Sequence, residues 1–171
     1  MLQEPENVGN AVAAVRRAVP KHIPVTAKMR LGYLDKALYL DNAQAICDAG
    51  ADELCVHART KIEAYKPPAH WEYLAKIREL INIPVIANGD VWSLEDYKIC
   101  RDISGCEHVM IGRGLLANPK LAFEISQYNL HGTLLATNWK DIVPLLIEFQ
   151  LDRNAHYPAR FAGDRLKKWL H

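Results

Sequence analysis

Lys28 stands among Val25, Ala27 and Met29, in a run where burying an ammonium without a partner is costly. Three roles are open to it: donor to the electron-rich ring of a cofactor, Schiff-base amine, or partner of a structural carboxylate. His57, between Val56 and Ala58, is either a donor to a ligand or a satisfied core histidine. No second His, Cys or carboxylate lies near it at metal-ligand spacing, which sets zinc aside. Asn88-Gly89-Asp90 and Gly112-Arg113-Gly114 are turns whose backbone N–H groups can approach an anion closely. The Arg113 guanidinium would add two parallel charge-assisted bonds, so the pair of turns reads as a phosphate site. A tight structural turn is the alternative reading of Gly-x-Gly, and without a third glycine and a following acidic residue it makes no dinucleotide fingerprint. Cys47, Cys55, Cys100 and Cys106 contain no C-x-x-C pair and read as reduced core thiols, although Cys55 shares the face of His57. Arg59, Lys61 and Tyr65, read as a loop leaving the strand of His57, mix charge with an aromatic as nucleic-acid surfaces do, and as ordinary exposed loops do.

These residues need strands to carry them. Four short runs rich in β-branched residues, 24–31, 53–59, 83–89 and 108–114, predict buried strands. Between them, helical spacing is set by Leu40, Ala43, Ile46 and Cys47 up to Gly50, by Trp71, Leu74, Ile77 and Leu80, and by Leu94, Tyr97 and Ile99. Gly50 suits a helix C-terminus, Ser93 with Asp96 suits a capping box, and Pro5 suits the first turn of an opening helix over 5–18. Alternating helix and strand predicts a parallel sheet, either doubly wound or part of a (β/α)8 barrel. The strands' polar residues gather at their C-terminal ends, where a barrel keeps its site and where the loops after the last two strands commonly bind phosphate. A whole barrel needs about 250 residues, so the expected fold is α/β, the C-terminal half of a TIM barrel of four strand-helix units over 1–117. Beyond Asn118-Pro119 the spacing is helical alone, with Pro144 kinking or starting a helix and a last amphipathic piece running into Trp169 and Leu170. Residues 118–171 are therefore expected to begin an all-helical second domain.

Composition is that of an ordinary globular chain: half hydrophobic, 21 Lys+Arg against 20 Asp+Glu, which excludes disorder. No run approaches a membrane span and the acidic start is unlike a leader, so the chain is expected in the cytoplasm. Charge is uneven, since 160–171 holds four basic side chains and one acidic. Such an end is a solvated helix face or an anion-binding surface.

Read together, Val25-Thr-Ala-Lys28-Met-Arg30-Leu-Gly32, Val56-His57-Ala-Arg59-Thr60, Pro84-Val-Ile-Ala-Asn88-Gly89-Asp90 and Ile103-Ser-Gly-Cys-Glu-His-Val-Met-Ile-Gly112-Arg113-Gly114 strongly resemble the tRNA-dihydrouridine synthases. Asn88-Gly89-Asp90-Val91-Trp92 and Arg165-Leu-Lys167-Lys-Trp169-Leu170 are most similar to the family's C-type branch. The resemblance implies an FMN-dependent oxidoreductase in which NADPH reduces the flavin and hydride passes to C6 of a tRNA uridine, position sixteen of the D-loop for the C-type branch, while a cysteine protonates C5. It further implies that Lys28 donates to the flavin ring with His57 beside it, and that Asn88, Gly89, Asp90, Gly112 and Arg113 hold the phosphate and ribityl chain. Arg59, Tyr65, Arg165 and Lys167 are the residues expected to meet tRNA.

The family's cysteine lies in an Asn-x-Gly-Cys-Pro loop that this sequence does not contain, so none of its four cysteines inherits the role. The expectation is a C-terminal part of such an enzyme, clipped at its own C-terminus as well, inactive alone and binding FMN weakly or not at all. Its exposed half-barrel edges would favour self-association. Two other readings compete: a phosphate-binding barrel lyase or aldolase using Lys28 as a Schiff base, and a non-catalytic RNA-binding fragment relying on the basic end.

Overall fold

The computed structural model describes residues 2–132, 139–158, 161, 163 and 167. The chain divides into two compact units, Met1–Gly112 and Arg113–His171. The first contains α1 (Pro5–Ala18), β1 (Thr26–Gly32), α2 (Tyr39–Asp48), β2 (Glu53–Thr60), α3 (Glu72–Leu80), β3 (Val85–Asn88), α4 (Leu94–Ser104) and β4 (His108–Met110). Its strands are all parallel and lie in the order β1-β2-β3-β4. Strict sequential order is that of a barrel; a doubly wound sheet would reverse direction at a switch point. The expected half of a TIM barrel is therefore the arrangement found.

Local chemistry explains the boundaries. Pro5 opens α1 and Val19, extended before Pro20, closes it. Gly50 follows α2 at φ +86°, the left-handed conformation that glycine tolerates. Ser93 Oγ accepts from the Asp96 N–H at 3.1 Å while the Asp96 carboxylate accepts from the Ser93 N–H at 3.0 Å, a capping box at the start of α4. β3 begins at Val85 because Pro84 has no N–H for the ladder, though its carbonyl still accepts from Leu54 at 3.0 Å.

The pleat sends Met29 and Leu31, Leu54, Val56 and Ala58, and Val85 and Ala87 to one face, all buried. Against them pack Ala43 and Ile46 of α2, Leu74 and Ile77 of α3, and Leu94, Tyr97 and Cys100 of α4. Gly9 lets α1 lie close on α2, since a Cβ there would come within 3.2 Å of the Ala45 carbonyl oxygen.

The fourth strand differs from expectation. It ends at Met110, and Arg113 opens a short helix, α5 (Arg113–Ala117), because Leu115, Leu116 and Ala117 favour helix over strand. The second unit continues with α6 (Leu121–His131) and α7 (Trp139–His156), which holds Pro144 inside it. The piece expected to run into Trp169 and Leu170 lies outside the described residues.

Candidate functional site

Strand register assembles the polar face of the sheet. Arg30, His57, Asn88 and Met110 are successive cross-strand partners in one row, and Lys28, Cys55, Ile86 and His108 form the row before it. Lys28 Nζ reaches over β2 to donate to Asn88 Oδ1 at 2.7 Å, and Asn88 Nδ2 donates to the Met110 carbonyl at 2.8 Å. The Asn88 amide is thereby oriented at both ends, with its oxygen turned to the cation. Lys28 is exposed, which corrects the expectation of a buried ammonium: the apolar helix faces of this unit pack against the other side of the sheet.

His57, 7% exposed, lies beside Tyr65 with ring centroids 5.9 Å apart. Burial lowers its pKa, Arg30, Lys28 and Arg59 lower it further, and Asp90 offsets only part, so that it falls to about 4. The imidazole is neutral at pH 7. Arg30 lies over the Tyr65 ring at 5.3 Å and donates to the Thr60 and Ala64 carbonyls, each at 2.9 Å. Tyr65 itself is exposed at the rim of this row.

The Asn88-Gly89-Asp90 turn sits against the same histidine. Gly89 has φ +122°, and a Cβ there would come within 3.0 Å of His57 Cδ2. Asp90 follows at φ +54°. Trp71 Nε1 donates to the Gly89 carbonyl at 2.9 Å, and the Asp90 carboxylate pairs with Arg59. Arg59 is completely buried, held also by the Pro68 carbonyl at 3.2 Å. Its expected place on a nucleic-acid surface is thus corrected: it is the seventh residue of β2, not part of a solvated loop.

Gly112 is exposed two residues beyond Met110, and a Cβ there would meet nothing within 4 Å. Arg113 is exposed and belongs to the second unit. Lys167, also in that unit, is exposed and bonds by its backbone N–H to Gly163; Arg165 lies outside the described residues. Sequence reasoning singled out neither Arg30 nor Trp71 for the site. Arg30 carried a signal, since two residues beyond Lys28 on a strand it must share that face. Trp71 was read only for helical spacing, whereas its indole N–H needed a partner.

The three buried thiols are unsuited to attack. Burial raises Cys55 despite the neighbouring Lys28, raises Cys106, and brings Cys100 up to about 12. Cys55 lies under the polar face, 3.5 Å from Met110 Sδ. Among the described residues no three His, Cys, Asp or Glu side chains gather to hold a metal.

What the face offers is two accessible cations, Lys28 and Arg30, a neutral imidazole and an oriented amide, next to a turn that brings backbone close. That donor set suits an anionic or electron-rich planar ligand. Comparison with known proteins gives the family. The family model described as dihydrouridine synthase (Dus) matches residues 1–146. A protein named tRNA-dihydrouridine(16) synthase from Aquipseudomonas alcaligenes is 46% identical over 170 residues, covering 99% of this chain and 54% of the relative. Proteins of the same name from Pseudomonas syringae pv. tomato and Neisseria meningitidis serogroup B are each 47% identical, with 99% of this chain and 54% and 51% of the relatives covered. The chain spans about half the length of the curated relatives it matches. With the family model running over most of the sequence, and with the strand order and polar face that its motifs imply, the chain belongs to the dihydrouridine synthase family.

Proposed function

We propose that this chain forms the cofactor face and part of the tRNA-facing surface of a cytoplasmic enzyme that reduces uridine to 5,6-dihydrouridine in the D-loop of tRNA. The observation that carries the reading is the Lys28–Asn88 contact, displayed on a polar face beside neutral His57 and Arg30. FMN, kept reduced by NADPH, would supply the hydride. The residues fit that group: Lys28 and Arg30 provide positive charge for an electron-rich ring, and an ammonium bonded to Asn88 still has further N–H donors. His57, uncharged, adds a hydrogen-bonding edge without adding repulsion. Asn88, Gly89, Asp90 and Gly112 would line the ribityl and phosphate chain, where the open backbone at Gly112 leaves room for it. Arg113 would pair with the phosphate.

Tyr65, Arg165 and Lys167 are proposed to meet tRNA, the basic pair through phosphates and thus without reading sequence. The names of the relatives, which carry the number 16, support uridine 16 as the target. Alone, the chain should make no dihydrouridine: Cys55, in the row of Lys28 on the polar face, is buried beside Lys28 and Met110 with a raised pKa.

A hybrid tests the assignment, with this chain replacing its matching segment in the Pseudomonas syringae relative. It should bind FMN and form dihydrouridine in unmodified tRNA. Lys28→Met should lower turnover by about 10²-fold, the usual cost of one well-aimed donor. A folded, flavin-loaded hybrid that leaves uridine untouched would overturn the reading, as would turnover by the chain alone for its predicted inactivity. Borohydride trapping of a carbonyl compound on Lys28 would favour a lyase instead.

A further inference from the structure

Arg59 is a buried cation with its three kinds of nitrogen committed in three directions. Nε donates to the Pro68 carbonyl at 3.2 Å, Nη2 pairs with the Asp90 carboxylate, and Nη1 lies 3.5 Å from His57 Nε2. A guanidinium is always protonated and can only donate. The imidazole nitrogen facing it must therefore present its lone pair, because a proton on Nε2 would set two donors against each other. In a neutral ring the single N–H is then on Nδ1.

The glycine turn fixes which edge of the ring this leaves available. An ideal Cβ at Gly89 would meet His57 Cδ2 at 3.0 Å and Nε2 at 3.3 Å, so that edge is pressed against the turn. Nδ1 lies on the opposite side of the five-membered ring. Asp90, in the left-handed region, and the Trp71 bond to the Gly89 carbonyl hold the turn in place against the ring.

We propose that Arg59 is a positioning residue, anchored by Asp90, that holds His57 as the Nδ1–H tautomer and makes it a hydrogen-bond donor on the edge turned away from Gly89. Within the proposed reaction, His57 would offer a proton to an acceptor atom of the bound ligand and could not accept one. The inference deepens that reading, but its test needs neither cofactor nor turnover. Low basicity of the ring supports it: burial lowers it first, and the charges of Arg30, Lys28 and Arg59 lower it further against the opposing charge of Asp90.

The test is long-range ¹H–¹⁵N correlation on the full chain labelled at histidine nitrogen, at pH 7. His57 should show a protonated-type Nδ1 and an unprotonated-type Nε2. An Nε2–H pattern in the wild-type chain would overturn the proposal outright. In Arg59→Met the pattern should shift to a mixture or to Nε2–H; a folded variant that keeps the wild-type pattern also overturns it. If Arg59→Met does not fold, Arg59→Gln decides, because a neutral side-chain amide can accept as well as donate and no longer forces a lone pair on His57 Nε2. Nε2–H should then appear, and its absence counts against Arg59. A merely structural role for Arg59 would move stability and leave the tautomer alone. Failure of this test leaves uridine reduction standing, and an inactive hybrid with the expected tautomer leaves this inference standing.

Discussion

At the scale of single residues, the site depends on one place where no side chain fits. Gly89 combines φ +122° with a Cβ position 3.0 Å from His57 Cδ2, so Gly89→Ala must strain the backbone and displace the ring or the turn. We expect a loss of about 1–3 kcal/mol in denaturant unfolding, with the His57 resonances shifted. A variant as stable as the parent would contradict this. The residues' identities were legible in the sequence, but their environments were only partly so. Lys28 reads as buried because its neighbours Ala27 and Met29 are apolar, yet alternation gives them one face and Lys28 the other. Arg59 reads as solvent-facing because it is followed by Lys61 and Tyr65. The missing information was the carboxylate of Asp90, thirty-one residues on, which makes burial of the guanidinium tolerable.

Among elements, the connection from β2 to α3 is fastened by polar contacts. Lys61 and Ile62 bond by their N–H groups to the Gly32 and Tyr33 carbonyls, at 2.9 and 3.1 Å, and the His70 N–H bonds to Ala58 at 2.8 Å. Glu63 accepts from the Thr60 N–H at 2.6 Å and pairs with Lys36, while His70 Nε2 lies 3.3 Å away. Partial desolvation works to raise the Glu63 pKa, but the bonds from Lys36 and Thr60 outweigh it and bring it down to about 2. A carboxylate depressed below its ordinary 4.5 stabilises the fold above that value and loses the contribution as pH falls toward 2. Glu63→Gln should therefore cost about 1 kcal/mol at pH 7, and the gap to wild type should narrow between pH 4.5 and 2. A gap constant with pH would mean that Glu63 acts by packing alone. The boundaries of α1 and the Ser93 capping box were readable because their signals are local: a proline, a hydroxyl, a carboxylate three residues on. The end of β4 was not, since Gly-Arg-Gly suits a phosphate turn and a helix start equally well.

For the whole molecule, consecutive strand order decides more than any motif does. Parallel strands at the edges, β1 and β4 in the described sheet, carry ladder groups on their outer sides. The chain by itself should associate as concentration rises, visible as a growing sedimentation coefficient; a constant monomer would argue that these edges are protected. The helical second unit was the least legible part. Its apolar residues, such as Phe123, Leu130, Ile147 and Leu151, are exposed, so periodicity marked helices without telling what they pack against.

The bond between Lys28 and Asn88 joins β1 to β3, strands that are not neighbours. The amide takes one of the three N–H groups of the ammonium and so fixes where the other two point. A ligand that meets those two adds its bonds without breaking the contact, and the two strands stay tied while it comes and goes. Selectivity at this position should follow the negative charge of the incoming atom. An anionic analogue gains a charge-assisted bond that a neutral one of equal shape does not.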